Sequence, residues 1–435
     1  MSGVKLILGF GITGISCAKY FSRKNIQYRI FDTRNKNAVD SLLISDFDQD
    51  ILYFKNYDID IFNQVDEIII SPGFDKEHVI LREIYKRNLP LSTDIDIFKK
   101  SSKKPIISIT GTNGKTTVVS MLEHVLTSLN IKTIACGNNG IPPLEINPDE
   151  YDYIILELSS YQLEYMNNHH SYISLITNID HDHLERHNTM KDYLSAKLKV
   201  FNSCEYPIAN LSLADDLLDA NNSLLRYGLS NGRLILCGNT IDNISFNEKS
   251  LYYKNISIEY KGKHNLENIL GICSITSLLN IPLYDSIVSL KNFTHLPHRI
   301  ELVKNINSVS WYNDSKSTNT ASTKAALEFV DKNIILILGG AKKNMDYKIL
   351  SNLINEKVKL VIFIGENKDY IKKQLDIRTN MIDVDTLTEA VVTSNNYASN
   401  NDSILFSPAS PSFDMFKNFE DRGQAFKDAV DNNVI

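Results

Sequence analysis

Along almost the whole chain, short apolar runs alternate with stretches in which apolar residues recur every three or four positions. Runs of the first kind predict buried strands and stretches of the second predict amphipathic helices. Their alternation predicts parallel sheets covered by helices, so the fold class is α/β. Strands are predicted at Val4 to Leu8, Tyr28 to Phe31 and Glu67 to Ser71, and a helix after Gly14 joins the first two as a βαβ unit. These elements predict a small Rossmann-like domain of about ninety residues.

At Lys99 to Pro105 the sequence KKSSKKP loses its apolar period, and a strand is predicted from Ile106 to Thr110; a first linker is expected on or just before this stretch. Buried strands at Tyr153 to Leu156 and Tyr172 to Thr177 predict a larger second domain with a parallel sheet. It continues through a more polar β-like region from Leu234 to Tyr260 and a helix from Asn265 to about Leu279. After a junction at Leu296-Pro297-His298, strands at Ile334 to Leu338, Leu360 to Ile364 and Ser403 to Phe406 alternate with helices and predict a third, again Rossmann-like, domain. The expected domains are 1–93, 94–296 and 297–435, in keeping with a length of 435 residues, too great for one ordinary core.

The formal net charge of -6 leaves no global basic field for a nucleic acid or an anionic membrane, so any functional positive charge is expected to be local. Five scattered cysteines without a CxxC pair argue against a disulfide framework or a zinc site. The opening MSGVKLILGFG reads as a first strand rather than a secretory signal, and no apolar stretch is long enough to span a bilayer. A cytoplasmic protein without membrane insertion is expected.

The most specific chemistry lies between the strand ending at Thr110 and the helix predicted from Val118. Gly111-Thr112-Asn113-Gly114-Lys115-Thr116-Thr117 has the strand, glycine-rich turn and helix that a phosphate loop needs. Backbone amides and the helix N-terminus can cradle phosphate, Lys115 can reach the β and γ oxygens, and Thr116 can ligate Mg²⁺. The expected ligand is ATP. The loop is shorter than the general pattern, with Ile109 where the first glycine would stand. Nearer the start, Gly9-Phe10-Gly11-Ile12-Thr13-Gly14 with Asp32 after the next strand fits the dinucleotide pattern. Such a turn can hold either a dinucleotide, as in a dehydrogenase, or a nucleotide sugar.

TGTNGKTT resembles the ATP loop of the Mur ligases and folylpolyglutamate synthetases, and later segments match the Mur pattern in order, from Gly9 to Phe426. The resemblance implies an ATP-dependent, amide-bond-forming ligase that adds D-glutamate to UDP-N-acetylmuramoyl-L-alanine through an acyl phosphate, in peptidoglycan precursor synthesis. It implies that Glu157 in ILELSSYQLE, His183 in TNIDHDHLERH and Lys197 in SAKLK bind metal with Thr116. Two Mg²⁺ ions and a carbamylated Lys197 follow from it, as does a catalytic set of Lys115, His183 and Lys197.

The same resemblance assigns ATP contacts to Gly111 through Thr117, to Asn268 in GKHNLEN, to Arg299 in FTHLPHR, where His295 replaces the usual glycine, and to Asp314 and Lys316 in NDSKSTN. Asn265 of GKHNLEN equally suits a helix N-cap. Ile12, Thr13, Asp32, Thr33, Arg34, Ser71, Pro72, Gly73 and Asn138 would hold the UDP-sugar. His183, Thr318, Lys343, Ser412 and Phe419 would surround D-glutamate. The stretch Ser407 to Gly423, SPASPSFDMFKNFEDRG, discriminates most within the family, and the DNPR motif of the diaminopimelate- or lysine-adding enzymes is absent. GGAKKN around Lys343 lacks the glycine common after that lysine. A monomer is expected.

Overall fold

The computed structural model describes residues 3–39, 44–138, 140–167, 170–213, 224–230, 233–241, 244–247, 250–260, 263–293, 296–331 and 333–434. Asn139, of the Gly137-Asn138-Asn139-Gly140 turn that carries Asn138, and Gly262, Thr294 and His295 of the motifs above lie outside the described residues.

Residues Val4–Leu8 form the middle of a five-stranded, all-parallel sheet in the order Leu52–Phe54, Tyr28–Asp32, Val4–Leu8, Val65–Ile70, Leu91–Ser92. The helix Ile12–Arg23 makes the crossover from the first strand to the second. Gly14 is obligatory there, because a Cβ would lie 1.9 Å from the Gly9 carbonyl oxygen.

The second sheet has eight strands in the order Asn239–Ile241, Arg233–Leu236, Leu225–Ser230, Cys204–Asn210, Ser171–Ile176, Ile106–Thr110, Tyr153–Glu157, Thr133–Gly137. It is parallel except for the two antiparallel strands at its Asn239 edge. One face of the first sheet and parts of this second one share a single apolar cluster in which Ile7, Phe10 and Ile30 join Ile154, Leu156 and Ile176.

The third sheet has six strands in the order Glu301–Ile306, Val309–Asn313, Ser403–Phe406, Ile334–Gly339, Val358–Ile364, Asn380–Asp383, parallel apart from the first pair. Separate apolar clusters, around Trp311 and Phe426 and around Leu336 and Phe363, cover its two faces. By contacts the chain forms two compact units: the first two sheets share one, and residues 293–435 make up most of the other.

The predicted strands appear with ends shifted by a residue or two. One prediction is corrected: Lys99 to Ser101 is not linker but the last turn of a helix, Asp94–Ser101. Thr93 and Asp96 cap one another's backbone at its start, and Ile95, Ile97 and Phe98 are buried. The polar KKSS tail is its solvent-facing end. The phosphate-loop helix starts earlier than its apolar period suggested, at Lys115 rather than Val118. All five cysteines are free thiols, and no described helix is long and apolar enough to cross a membrane.

Candidate active site

The central parallel strand Ile106–Thr110 delivers the chain to the glycine turn at its carboxyl end, where open α/β sheets place ligands. Gly111 has φ +151°, and a Cβ there would sit 1.9 Å from Thr177 Oγ1. Gly114, at φ +82°, caps the helix Lys115–Ser128, and a Cβ there would meet Asn268 Oδ1 at 2.9 Å. Asn268 therefore lies directly against the loop.

The turn after the neighbouring strand Ser171–Ile176 holds the loop in shape. Asn178 Oδ1 accepts from the Asn113 amide at 2.9 Å, and Thr177 Oγ1 and Asn178 Nδ2 donate to the Asn113 carbonyl at 2.7 and 3.0 Å. Thr112 Oγ1 accepts from the Asp180 amide at 2.9 Å and meets the buried Tyr193 hydroxyl, also at 2.9 Å. Thr177, Asn178, Asp180 and Tyr193 had no individual role in the sequence reading; the first three belong to the polar stretch TNIDHDHLERH after a buried strand, and Tyr193 lies beyond it on the helix Met190–Leu198.

Two lysines converge on one carbonyl of this loop. Lys115 Nζ donates to the carbonyls of Gly111 and Thr112 at 2.8 and 2.9 Å, and Lys197 Nζ donates to the same Gly111 oxygen at 2.8 Å. Lys197 is 1% exposed, and its ammonium lies 4.8 Å from the centre of the Tyr193 ring. Burial, reinforced by the charge of Lys115, pushes the Lys197 amine well below its ordinary value of 10.5.

Glu157 closes the adjacent strand, in register with Ile109, and is 1% exposed. Its Oε1 accepts from Asn138 Nδ2 at 2.9 Å, while its Oε2 is buried without a hydrogen-bond partner among the described residues. A buried carboxylate oxygen left unpaired is costly, and a cation would satisfy it. No cluster of three or more His, Cys, Asp or Glu side chains among the described residues could hold a metal alone. The donors fit Mg²⁺, which takes one or two carboxylates and completes its shell with water and phosphate. Asn138 thus touches the acid itself, a contact its Gly-Asn turn did not reveal.

His183 has φ +54°, and its Nδ1 lies 3.3 Å from the Tyr161 hydroxyl. On the first sheet, Asp32 accepts from the Phe10 amide at 2.7 Å and from the Arg34 amide and guanidinium. Burial opposes its charge, yet the Arg34 hydrogen bonds outweigh burial and hold the carboxyl below its usual range. Ile12 is 76% exposed at the start of its helix, and the Ser71 hydroxyl is buried beside Gly9 without a hydrogen-bond partner among the described residues. Pro72 and Gly73 follow, and a Cβ on Gly73 would meet nothing within 4 Å. Thr13 enters the same helix as Ile12, and Thr33 follows Asp32.

In the second unit, Asp314 follows the strand Val309–Asn313. Its Oδ2 accepts from Ser317 and Ser407 hydroxyls at 2.5 and 2.7 Å, and its Oδ1 from the Ile300 amide at 3.2 Å. Burial raises its carboxyl to about 6 against these bonds. Lys316 stands over the Phe419 ring with its ammonium 3.5 Å from the centre. Arg422, which the sequence reading gave no role, is fully buried. It donates to Ser315 Oγ and to the carbonyls of Ser315, Ser410 and Pro411 at 2.8 to 3.0 Å. It thereby ties the turns bearing Lys316, Thr318 and Ser412. Arg299 and Lys343 belong to this unit as well.

Comparison with known proteins follows the same division. Residues 4–92 match the Mur ligase MurD-like N-terminal domain, 109–276 the Mur ligase middle domain and 298–410 the Mur ligase glutamate ligase domain. A UDP-N-acetylmuramoylalanine--D-glutamate ligase of Coxiella burnetii is 33% identical over 434 residues, covering 98% of each chain. The protein so named in Buchnera aphidicola is 36% identical over 429 residues, covering 97% of this chain and 96% of its own. Among solved structures, the UDP-N-acetylmuramate-alanine ligase of Thermotoga maritima aligns with a TM-score of 0.61 at 16% identity, covering 99% of both chains. The MurF ligase of Thermotoga maritima in complex with ADP aligns with a TM-score of 0.60 at 13% identity, covering 99% of this chain and 96% of its own.

Proposed function

The chain belongs to the Mur ligase family, and on that premise we propose that it adds D-glutamate to UDP-N-acetylmuramoyl-L-alanine at the expense of ATP, in peptidoglycan precursor synthesis. The observation that carries this reading is the convergence of Lys115 and Lys197 on the Gly111 carbonyl, beside a buried Glu157 with one oxygen unpaired. That arrangement suits a phosphate chain with its cation, and hydride transfer to or from a dinucleotide needs no such cation.

A carboxylate resists attack by an amine because its charge is delocalised, so it must be activated first. The terminal phosphoryl group of ATP passes to the L-alanine carboxylate, giving an acyl phosphate and ADP. The amine of D-glutamate then attacks the acyl carbon, phosphate leaves, and the amine proton passes to solvent or an unassigned base. Lys115 exchanges its loop carbonyls for phosphate oxygens and stabilises the charge that develops on the transferred group.

Thr116 and Glu157 would hold one Mg²⁺, and His183 with Lys197 as its carbamate would hold a second; bound there, the ions would supply positive charge to the phosphates and the acceptor carboxylate. Burial lowers the basicity of the Lys197 amine and so raises its neutral, nucleophilic fraction. It can therefore add to CO₂, losing a proton and becoming a carbamate anion. Asn268, Arg299, Asp314 and Lys316 hold the nucleotide. Ile12, Thr13, Asp32, Thr33, Arg34, Ser71, Pro72, Gly73 and Asn138 hold the UDP-sugar. Thr318, Lys343, Ser412 and Phe419 hold D-glutamate with His183. The enzyme acts as a cytoplasmic monomer.

Amino-acid-dependent release of phosphate from ATP in the presence of UDP-N-acetylmuramoyl-L-alanine tests this reading. D-glutamate is expected to support release, whereas L-glutamate, L-alanine and diaminopimelate are not. Equal release with any of these, or none with D-glutamate, would overturn it.

A further inference from the structure

Arg186 belongs to the same polar turn as His183 but faces away from the phosphate loop. Its side chain is 10% exposed, and its Nε donates to Glu164 Oε2 at 2.9 Å. One terminal nitrogen donates to the carbonyl of Phe74 at 2.8 Å, and the other is buried without a partner among the described residues. The guanidinium also lies over the rings of Tyr161 and Tyr165, 5.1 and 5.6 Å from their centres. Phe74 directly follows Ser71-Pro72-Gly73 on the first sheet, whereas Glu164 and Tyr161 lie on the helix Ser160–Tyr165 beside the second.

The link is reciprocal. Lys76, from the same loop as Phe74, donates back to the Arg186 carbonyl, and Lys199 donates to the Glu164 carbonyl at 2.5 Å. The Arg186 amide donates to the His183 carbonyl at 3.0 Å, and Tyr161, under the guanidinium, reaches His183 Nδ1 through its hydroxyl. One buried cation therefore connects the loop at 71–76 with the turn that carries His183. A guanidinium suits this place because its planar fork can serve a carboxylate and a carbonyl at once while stacking on rings, which an ammonium cannot do.

We infer that Arg186 is a positioning residue that sets the Ser71-Pro72-Gly73 loop against the His183 turn, so that the UDP-sugar is held with its acceptor carboxylate facing the phosphate loop. The inference rests on the proposed UDP-sugar role of that loop. Arg186 touches no reacting atom. Its loss should be felt in the binding of one substrate only.

The test is steady-state kinetics on Arg186→Ala, Arg186→Lys and Glu164→Gln, with thermal unfolding of each variant. Roughly tenfold or greater increases in KM for UDP-N-acetylmuramoyl-L-alanine are expected for Arg186→Ala, the scale of a lost charge-assisted hydrogen bond. KM for ATP should stay within about twofold. Arg186→Lys should recover only part of the loss, and Glu164→Gln should resemble it. Gly73→Val serves as the control, because a Cβ at Gly73 would meet nothing within 4 Å, and its thermal unfolding checks that the fold tolerates the longer side chain. If Gly73→Val raises the UDP-substrate KM and Arg186→Lys and Glu164→Gln leave it unchanged, the inference fails alone. If Gly73→Val has no effect, the underlying assignment of the loop fails. Equal increases in KM for ATP and for the UDP-substrate would reduce Arg186 to a structural role and overturn the inference.

Discussion

Glu157 and Asp314 are both buried carboxylates at the end of a strand, yet their surroundings differ. Asp314 spends both oxygens on protein donors, two hydroxyls and an amide. Glu157 spends one on Asn138, and the other has no hydrogen-bond partner among the described residues. The neighbouring cations show the same contrast. Arg422 spends four of its five N–H groups on three carbonyls and a hydroxyl, whereas Lys197 is buried with its Nζ on one close carbonyl and a distant hydroxyl at 3.4 Å. Among the described residues both oxygens of Asp314 and all three nitrogens of Arg422 have protein partners, and this network shapes loops. The phosphate-loop network keeps an unsatisfied Glu157 oxygen, which on the proposed reading a cation would satisfy. Incomplete polar burial is costly to stability and useful to function.

The contrast is broken most severely by Glu157→Ala. Loss of the acid that faces the cation should lower kcat by about 10³-fold while the thermal midpoint holds or rises, since an unpaired buried oxygen disappears. Unchanged phosphate release by this variant would remove the acid from the chemistry. Arg422→Ala should behave in the opposite way. It strands three carbonyls and should cost about 3 kcal/mol of stability, read as a lower denaturation midpoint. A midpoint equal to wild type would show that those loops hold themselves.

A smaller change in midpoint than that of Arg422→Ala is expected from Lys197→Met, which should lose activity and yet raise the unfolding midpoint at neutral pH. The sign follows from its depressed basicity. Between the lowered folded value and 10.5 the unfolded chain binds more protons, so the lysine's contribution to stability grows with pH and is poorest on the acid side. The midpoint gap between Lys197→Met and wild type should therefore narrow as pH rises. A gap that widens would contradict the burial account.

The smallest effect concerns Asp314, raised from 3.8 to about 6. Here the folded state binds more protons between those values, so this group's contribution to stability falls as pH rises from about 4 to 6 and is flat above. Asp314→Asn should remove that slope, measured as the midpoint against pH. A slope that persists unchanged would place the titration elsewhere.

Much of the fold was legible because buried parallel strands announce themselves as β-branched runs, as in Ile106 to Thr110 and Ile334 to Leu338. The strand, glycine turn and helix around Lys115 were legible for a local reason, since they are contiguous in sequence. The helix Asp94–Ser101 was missed because its capping pair and its Lys-Ser tail look like a linker when the three-dimensional neighbours of Ile95 and Phe98 are unseen. The partners of the phosphate loop, Thr177, Asn178, Asp180 and Tyr193, stand more than sixty residues away in sequence, as the separations of 64 to 81 positions show. Local pattern carries no information about which strand lies beside which. The same holds for Asn138 on Glu157 and for Arg422, whose partners gather only once the sheets have formed.

The central claim is that the loop at 111–117 passes the terminal phosphoryl group of ATP to an acid tethered to UDP. Incubation with ATP, Mg²⁺, UDP-N-acetylmuramoyl-L-alanine and hydroxylamine, without D-glutamate, tests it directly, because hydroxylamine captures an acyl phosphate as a hydroxamate. Wild type should yield the UDP-linked hydroxamate together with ADP and phosphate, and Lys115→Ala should yield none. Hydroxamate formed by Lys115→Ala at the wild-type rate would contradict the account.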